Sequence, residues 1–213
     1  MSNQFAITDS DLDAITLSGR MLGGLFYYEP DDASMADVYS LLQDDQWVEE
    51  WPCGDKQQLM QIAAQLKEGL LETQSETLAQ AYQRLFVGPN SLVAPPWGSV
   101  YLDHECVIFG ESTIELRQWQ SSLGIATQTE VREPEDHIGL LLMLAAWLAE
   151  HHPEQIQTLL ADHLLPWSGR YLELLETKAE HPFYSGLAKL TKITLADWQA
   201  CLSIDVKNKR IYF

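Results

Sequence analysis

Residues 138–149 read Ile-Gly-Leu-Leu-Leu-Met-Leu-Ala-Ala-Trp-Leu-Ala and form the longest apolar run of the sequence. The run has twelve residues, whereas a helix that crosses a bilayer needs roughly 20. Pro134 precedes the run, and the first turn of a helix tolerates proline. The sequence therefore predicts a buried core helix that opens at Pro134, and no transmembrane segment.

Apolar residues recur at helical spacing along most of the chain. They are Leu12, Ile15, Leu22 and Phe26; Leu59, Ile62, Ala63, Leu66 and Leu70; Leu78, Tyr82 and Leu85; Ile114, Trp119 and Leu123. Thr8 with Asp11 resembles a capping box, and Ser75 before Glu76 is a second start signal. A two-residue alternation is confined to a short candidate strand at 99–109. The pattern predicts an all-α fold, a helical bundle with long connecting loops.

The chain length fits a single domain over residues 1–213. A weak boundary is expected near 151–154, because a helix must end before Pro153.

The one long irregular segment, 87–98, reads Val-Gly-Pro-Asn-Ser-Leu-Val-Ala-Pro-Pro-Trp-Gly. Loops this long and apolar are usually functional or tightly packed, so this segment is a candidate part of a site.

The charge balance narrows the class of partner. Thirteen Lys and Arg oppose 31 Asp and Glu, a formal net charge of −18, which repels phosphate backbones and excludes nucleic acid as the expected partner. The excess of acids has two explanations that the sequence leaves open. It keeps the protein soluble, or it steers a cationic ligand towards a site.

The cysteines and the N-terminus indicate the compartment. Cys53, Cys106 and Cys201 are odd in number and widely spaced, which favours a reducing environment over a disulfide framework or a zinc site. Residues 1–10 have no basic start and no apolar core of the kind found in signal peptides. We therefore expect a cytoplasmic protein.

No catalytic signature is present. The sequence lacks the common phosphate-loop, dinucleotide, zinc-protease and serine-hydrolase motifs. His104 with Cys106, and the pair His151-His152, have no partner cluster, so we expect no metal site. Cys106 has no base that the sequence can assign to it, so it is not expected to be a nucleophile.

Charged residues flank the start of the apolar run. If the helix opens at Pro134, Glu133, Asp136 and His137 share a stripe with Leu140 and Leu144. The two acids then either complement the N-terminal dipole of that helix, with His137 as their partner, or receive arginine guanidinium groups bidentately beside an apolar surface. The two roles are compatible.

Upstream, aromatic and apolar side chains lead into the long loop. Tyr82, Leu85 and Phe86 share one helical face, and the loop ends in Pro95-Pro96-Trp97. Core packing explains such a face in most proteins, but aromatics beside a proline-rich loop also build peptide grooves. We expect Phe86 and Trp97 to line a groove and not the central core.

Four ordered stretches resemble the TorD/DmsD family of redox-enzyme maturation chaperones, and the region that holds them, from Tyr82 to Trp147, is about a third of the chain. They are Tyr82-Gln-Arg-Leu-Phe-Val-Gly-Pro89, Ala94-Pro-Pro-Trp-Gly-Ser-Val-Tyr-Leu-Asp103, Phe109-Gly-Glu-Ser-Thr-Ile-Glu-Leu-Arg117 and Glu133-Pro-Glu-Asp-His-Ile-Gly139. The resemblance implies an all-helical chaperone without catalysis or a cofactor of its own. It also implies binding of the twin-arginine leader of a molybdenum-cofactor enzyme, so that export waits until the cofactor is inserted.

The resemblance also implies roles for particular residues. By motif, the leader-binding side chains are Tyr82, Leu85, Phe86, Pro96, Trp97, Glu133, Asp136 and His137. The implied client is the catalytic subunit of dimethyl sulfoxide reductase. Components of the twin-arginine translocase are further implied partners. Dimerisation by helix exchange and weak binding of guanine nucleotides are also known in the family, although no residue of this sequence indicates either.

Two alternatives stay open at this point. The client could be trimethylamine N-oxide reductase or nitrate reductase instead, since the motifs are common to the family. A protein of another class, a hydrolase that uses Asp136 and His137 as an acid/base pair, would need a nucleophile or a metal in the same cleft. The sequence supplies neither.

Overall fold

The structure of the protein, a computed structural model, describes residues 7–71, 73–125 and 133–213. Residues 1–6 lie outside these ranges, so most of the stretch on which the expectation of no signal peptide rests is not among the described residues. Within the described ranges every regular element is helical, and the all-α prediction is confirmed. No helix in this part of the chain is long and apolar enough to cross a membrane.

The helices follow one another in the order α1 (Asp9–Tyr27), α2 (Ala36–Leu42), α3 (Trp47–Glu50), α4 (Lys56–Gly69), α5 (Leu78–Tyr82), α6 (Gly98–Leu102), α7 (Glu111–Ser122), α8 (Ile138–His151), α9 (Ile156–Thr158), α10 (Leu165–Lys178) and α11 (Pro182–Cys201). Short 3-10 turns at Ala33–Met35 and Pro153–Gln155 precede α2 and α9. π-helical turns at Gln83–Val87 and Leu159–Leu164 continue α5 and α9.

Glycines bring α1 and α8 into backbone contact. A Cβ atom built on Gly19 would lie 2.7 Å from the carbonyl oxygen of Leu142, and one built on Gly23 would lie 2.7 Å from that of Gly139. In return, a Cβ on Gly139 would lie 2.7 Å from the carbonyl oxygen of Gly23. Real Cβ atoms essentially never come so close to another atom, so only glycine allows this approach.

The rest of the core packs around this pair. α10 and α11 pack against each other, and α4 packs on α11, where Gly69 leaves room for the backbone of Phe183. Aromatic rings join α1 to α10 and to the π-helical turn that follows α5. Phe26 of α1 contacts Phe86 at a centroid distance of 6.2 Å and Tyr171 of α10 at 6.0 Å, both in edge-on geometry. Edge-on aromatic pairs stabilise a core beyond the area that they bury.

α8 begins later than the sequence predicts. Its first residue is Ile138, and His137 is the N-cap, with its Nδ1 accepting a hydrogen bond from the backbone N–H of Gly139 at 3.1 Å. Residues 133–137 are therefore not helical, and the prediction that Pro134 opens the helix is wrong. The shared stripe of Glu133, Asp136 and His137 with the leucines of α8 is wrong for the same reason.

Three local predictions can be compared with the structure. The capping box of Thr8 and Asp11 is confirmed at the start of α1. The second start signal is displaced, because Thr77, not Ser75, caps α5 in a capping box with Gln80. The candidate strand at 99–109 is wrong: its first residues form α6, whose buried face includes Val100 and Tyr101.

Replacing Gly23 by alanine should destabilise the protein. The new methyl group would meet the carbonyl oxygen of Gly139 and the side chain of Met143, so we expect a loss of about 1–3 kcal/mol in the free energy of unfolding. Gly169 of α10 is the matched control, because it is exposed and a Cβ there meets no atom within 4 Å. Gly169→Ala should stabilise by about 0.5–1 kcal/mol. Equal effects of the two changes in urea titrations would contradict the close contact of α1 with α8.

His137→Asn should make the protein less sensitive to acid. Burial lowers the pKa of His137 from 6.5 to about 3. Between these two pH values the imidazole is protonated in the unfolded chain but neutral in the folded protein. Stability from this group is therefore lost as the pH falls below 6.5, by up to about 1.4 kcal/mol per pH unit. Asparagine still caps the helix but does not titrate. Urea titrations from pH 7 to pH 4 should show a steeper loss for the wild type, and parallel curves would contradict this role.

Candidate functional site

A groove of about 1600 Å³ runs along the outer side of the α1 and α8 pair. Its aromatic and imidazole lining comes from Tyr27, Tyr28, Tyr82, Phe86, Trp97, His137 and Trp147. Its aliphatic lining includes Leu140, Met143 and Leu144 of α8 and Val87 after α5. Among the described residues, its carboxylate and guanidinium lining comes from Glu29, Asp31, Asp32, Glu133 and Arg20. The groove is therefore apolar along its floor and mainly acidic in charge.

A backbone bridge holds the proline-rich loop against the start of α8. The N–H of Ile138 donates to the carbonyl oxygen of Pro96 at 2.8 Å, and the N–H of Gly98 donates to that of Asp136 at 3.1 Å. Trp97 and His137 thereby face each other in antiparallel register, with ring centroids 6.3 Å apart. Two motifs that lie far apart in the sequence thus meet at one end of the groove.

Glu133 links these two motifs by its side chain. Its carboxylate accepts a hydrogen bond from the indole N–H of Trp97. Burial raises the pKa of Glu133, the bond from Trp97 lowers it in part, and the nearby charge of Asp136 raises it further. The carboxylate lines the groove in a half-buried position, where an incoming cation would favour its charged form.

Asp136 lies behind the groove and does not line it. It is 4 % exposed, and one carboxylate oxygen accepts from the backbone N–H of Ser99 at 2.6 Å. The other oxygen has no hydrogen-bond partner among the described residues. Burial raises the pKa of Asp136, and the Ser99 contact offsets part of that rise. Asp136 therefore complements the start of α6, and the predicted dipole contact with α8 is wrong.

The aromatic face after α5 lies between groove and core. Tyr82 lines the groove, and its hydroxyl donates to the carbonyl oxygen of Tyr27 at 2.6 Å. Phe86 also borders the groove but is only 5 % exposed, and it packs on Phe26 and Tyr184. The expectation that Phe86 lies outside the core is therefore wrong. Trp97 is half-buried and lies outside the core, as expected.

The eight predicted residues thus fall into two groups. Tyr82, Phe86, Trp97, Glu133 and His137 line the groove. Leu85, Pro96 and Asp136 are buried behind it, where they support the lining residues. His137 is buried as well, but its ring faces the groove edge-on to Tyr27 at a centroid distance of 5.7 Å.

Two parts of the lining were not predicted from the sequence. The first is the stretch that follows α1, which contributes Tyr28, Glu29, Asp31 and Asp32. An aromatic pair followed by three acids within five residues was the available signal. The second is the outer face of α8, where Leu140, Met143 and Leu144 are only partly buried and Trp147 is 36 % exposed.

The arrangement suits binding better than chemistry. Asp136 and His137 do not form an acid/base dyad, because the hydrogen bonds of Asp136 and of the His137 Nδ1 atom go to backbone amides. In the described ranges no three His, Cys, Asp or Glu side chains converge so that they could hold a metal ion. A cationic and apolar ligand is what the charge and the floor of the groove complement.

Comparison with known proteins assigns the family. Residues 54–173 match the family model described as nitrate reductase delta subunit. The chain is 47 % identical over 203 residues to the Tat proofreading chaperone DmsD of Salmonella typhimurium, covering 94 % of this chain and 96 % of that protein. It is 30 % identical to the chaperone protein YcdY of Escherichia coli, covering 81 % of this chain and 87 % of that protein.

A solved structure supports the fold. A crystal structure from Archaeoglobus fulgidus, described as that of a redox enzyme maturation protein, superposes on this chain with a TM-score of 0.50 at 17 % sequence identity. The match covers 90 % of this chain and 98 % of that one, so the likeness concerns nearly the whole fold. From its sequence matches and its helical architecture, the chain belongs to the family of nitrate reductase delta subunits and redox-enzyme maturation chaperones that includes the Tat proofreading chaperone DmsD.

Proposed function

We propose that the protein binds the twin-arginine leader peptide of a molybdenum-cofactor oxidoreductase in the groove along α1 and α8, and delays export until the enzyme is mature. One observation carries the proposal most directly. A single groove combines an apolar floor with four carboxylates among its described lining residues, in a chain that closely resembles a Tat proofreading chaperone over nearly its full length. A leader of this type presents a basic segment followed by an apolar one.

The groove offers separate contacts for the two parts of such a leader. Carboxylates receive arginine guanidinium groups through short, charge-assisted hydrogen bonds. The partly exposed aliphatic and aromatic side chains of α8 bury the apolar segment and release its hydration water. The net charge of −18 adds attraction at long range, which raises the rate of encounter more than the final affinity.

Not every residue of the family motifs contacts the leader in this proposal. Glu133 and Trp97 touch the ligand, because both line the groove. Asp136 and Pro96 act through them, since the Asp136 carboxylate holds the start of α6 and the Pro96 carbonyl holds the start of α8. Asp136 is then a positioning residue and not the arginine acceptor that its place in the motif suggested.

The client we propose is the catalytic subunit of dimethyl sulfoxide reductase, because the relatives with 45–47 % identity carry the name DmsD. Leaders of trimethylamine N-oxide and nitrate reductases are the alternatives, and binding of all three synthetic leaders would rank them. The proposal places the protein in the cytoplasm, where a leader is available before export. It assigns no catalysis to the chain. Translocase components become partners in this proposal only if they bind the complex of protein and leader. A homodimer becomes part of it only if two copies of the chain associate in that complex.

Glu133→Gln tests the charge contact. Glutamine can still accept the hydrogen bond from Trp97, but it carries no charge, so the fold is retained while the acceptor is weakened. We expect affinity for a leader peptide with its arginine pair to fall by roughly tenfold, because a hydrogen bond to a charged group contributes about 1.5–3 kcal/mol. Affinity is measured by titration calorimetry at low salt, since screening weakens such contacts.

Two controls make this result specific. Glu68→Gln removes the same charge from an exposed position on α4, outside the groove, and should leave affinity unchanged. A peptide with both arginines replaced by glutamine should bind wild type and Glu133→Gln alike. If Glu133→Gln weakens both peptides equally, Glu133 acts through the fold and the arginine contact must be abandoned.

Asp136→Asn distinguishes a positioning residue from an acceptor. The change removes a buried charge but keeps an oxygen that can accept from Ser99, so affinities for the arginine peptide and the glutamine peptide should shift together, by less than about threefold. A loss confined to the arginine peptide would identify Asp136 as a direct acceptor and contradict the assignment made above.

A further inference from the structure

We infer that the groove fixes the direction of the leader, with the arginine pair at the His137 end of α8 and the apolar segment running parallel to α8 towards Trp147. This inference rests on the proposed function and adds to it the orientation of the ligand. It follows from how charge and apolar surface are distributed between the two ends of the groove.

The two ends can be identified because α1 and α8 run antiparallel. Tyr27, at the end of α1, contacts His137 at the start of α8. Arg20, almost two turns earlier in α1, forms an ion pair with Glu150 near the end of α8. The groove therefore has one end at His137 and the residues that follow α1, and another end at Trp147 and Arg20.

Four carboxylates are among the groove-lining residues that the structure describes, and they come from the two segments that meet at the first end. Glu29, Asp31 and Asp32 follow α1 directly, and Glu133 is bonded to Trp97 beside His137. Asp32 accepts from the hydroxyl and the N–H of Ser34, which lowers its pKa and keeps it ionised. Glu29 accepts from the amide of Gln83 at 3.3 Å. The first end is thus the part of the groove where a cation has the most favourable electrostatic interaction.

The second end differs in both charge and polarity. Arg20 is the cation among the groove-lining residues that the structure describes, and its ion pair with Glu150 occupies the carboxylate that an arginine pair could otherwise reach at this end. Between the two ends, Leu140, Met143, Leu144 and Trp147 recur at helical spacing on one partly exposed face of α8. This face leads from the acidic end to the Arg20 end, and the four lining residues on it are apolar.

The length of this face suits a leader core. From His137 to Trp147 the helix rises by roughly 15 Å, since each residue adds about 1.5 Å. An apolar segment of about ten residues in helical form, or about four to five in extended form, covers that length. Because the basic part of a leader precedes its apolar part, arginines at the acidic end set the chain direction parallel to α8.

Photo-crosslinking tests the direction with the full-length protein. Two synthetic peptides carry the arginine pair followed by an apolar run of leucine and alanine. One has benzoylphenylalanine just before the arginines, and the other has it at the end of the apolar run. We expect the first probe to attach within residues 28–34 and the second within 144–151, each with a roughly tenfold excess over the opposite end, as one charged contact would give. Mass spectrometry of the digested adducts locates both sites.

The outcomes separate this inference from the proposed function. Probes that attach to the groove in the opposite order would overturn the direction but retain the groove as the leader site. Equal attachment of each probe at both ends would also overturn it. Adducts outside the groove, or no binding by either peptide, would instead overturn the proposed function itself.

A charge variant gives an independent check. Arg20→Gln removes the cation and leaves Glu150 without its ion-pair partner at the Trp147 end, so reversed adducts should increase severalfold. Arg210→Gln removes the same charge from the exposed C-terminal segment and should leave the ratio of adducts unchanged. An unchanged ratio in Arg20→Gln would mean that the charges at the groove ends do not set the direction.

Discussion

The backbone contact of α1 with α8 is the constraint on which the other features depend. Gly19, Gly23 and Gly139 let two helices approach until carbonyl oxygens occupy the space that a Cβ would need. At that distance the residues that follow α1 meet the residues that precede α8, which brings Tyr27 onto His137. The groove runs along this pair, so the distance between the two helices helps to set its shape.

The bridge between Trp97 and His137 then completes the acidic end. It uses backbone groups of the proline-rich loop to satisfy the first amide of α8, and it uses the Asp136 side chain to satisfy an amide of α6. The free N–H groups of helix starts must be satisfied, and here those of Ile138, Gly98 and Ser99 are met by the segment that begins the other helix. The family motifs are explained first by this reciprocal capping, and only some of their side chains remain available for a ligand.

Much of the fold could be predicted from the sequence, because long helices have strong periodicity. The spacing of Leu12, Ile15 and Leu22 predicted α1, and the run from Ile138 predicted α8. The start of α8 was placed too early, because His137 is a rare N-cap whose competence depends on its buried imidazole nitrogen, which sequence alone cannot show. The prediction of a strand at 99–109 was wrong because α6 has only five residues. A helix this short shows too little of its 3.6-residue period to be distinguished from the two-residue alternation of a strand.

The site was harder to predict than the fold. Motif matching found the residues around Trp97 and Glu133, but it could not separate Glu133, which faces the groove, from Asp136, which faces α6. That difference depends on the non-helical backbone of 133–137. The acids after α1 were missed because a local cluster such as Glu29, Asp31 and Asp32 becomes relevant only when α1 and α8 pack antiparallel, and the sequence does not show that packing.

The helix contact beneath the groove and the side chains that line the groove differ in their tolerance to mutation. A substitution at Gly19 or Gly23 changes the distance between two helices, and so alters the whole groove at once. A substitution at Leu140, Met143 or Trp147 alters the lining and leaves the helix pair in place, because these side chains are partly exposed. The surface of the groove can therefore be changed one residue at a time while the helix pair that carries it is kept.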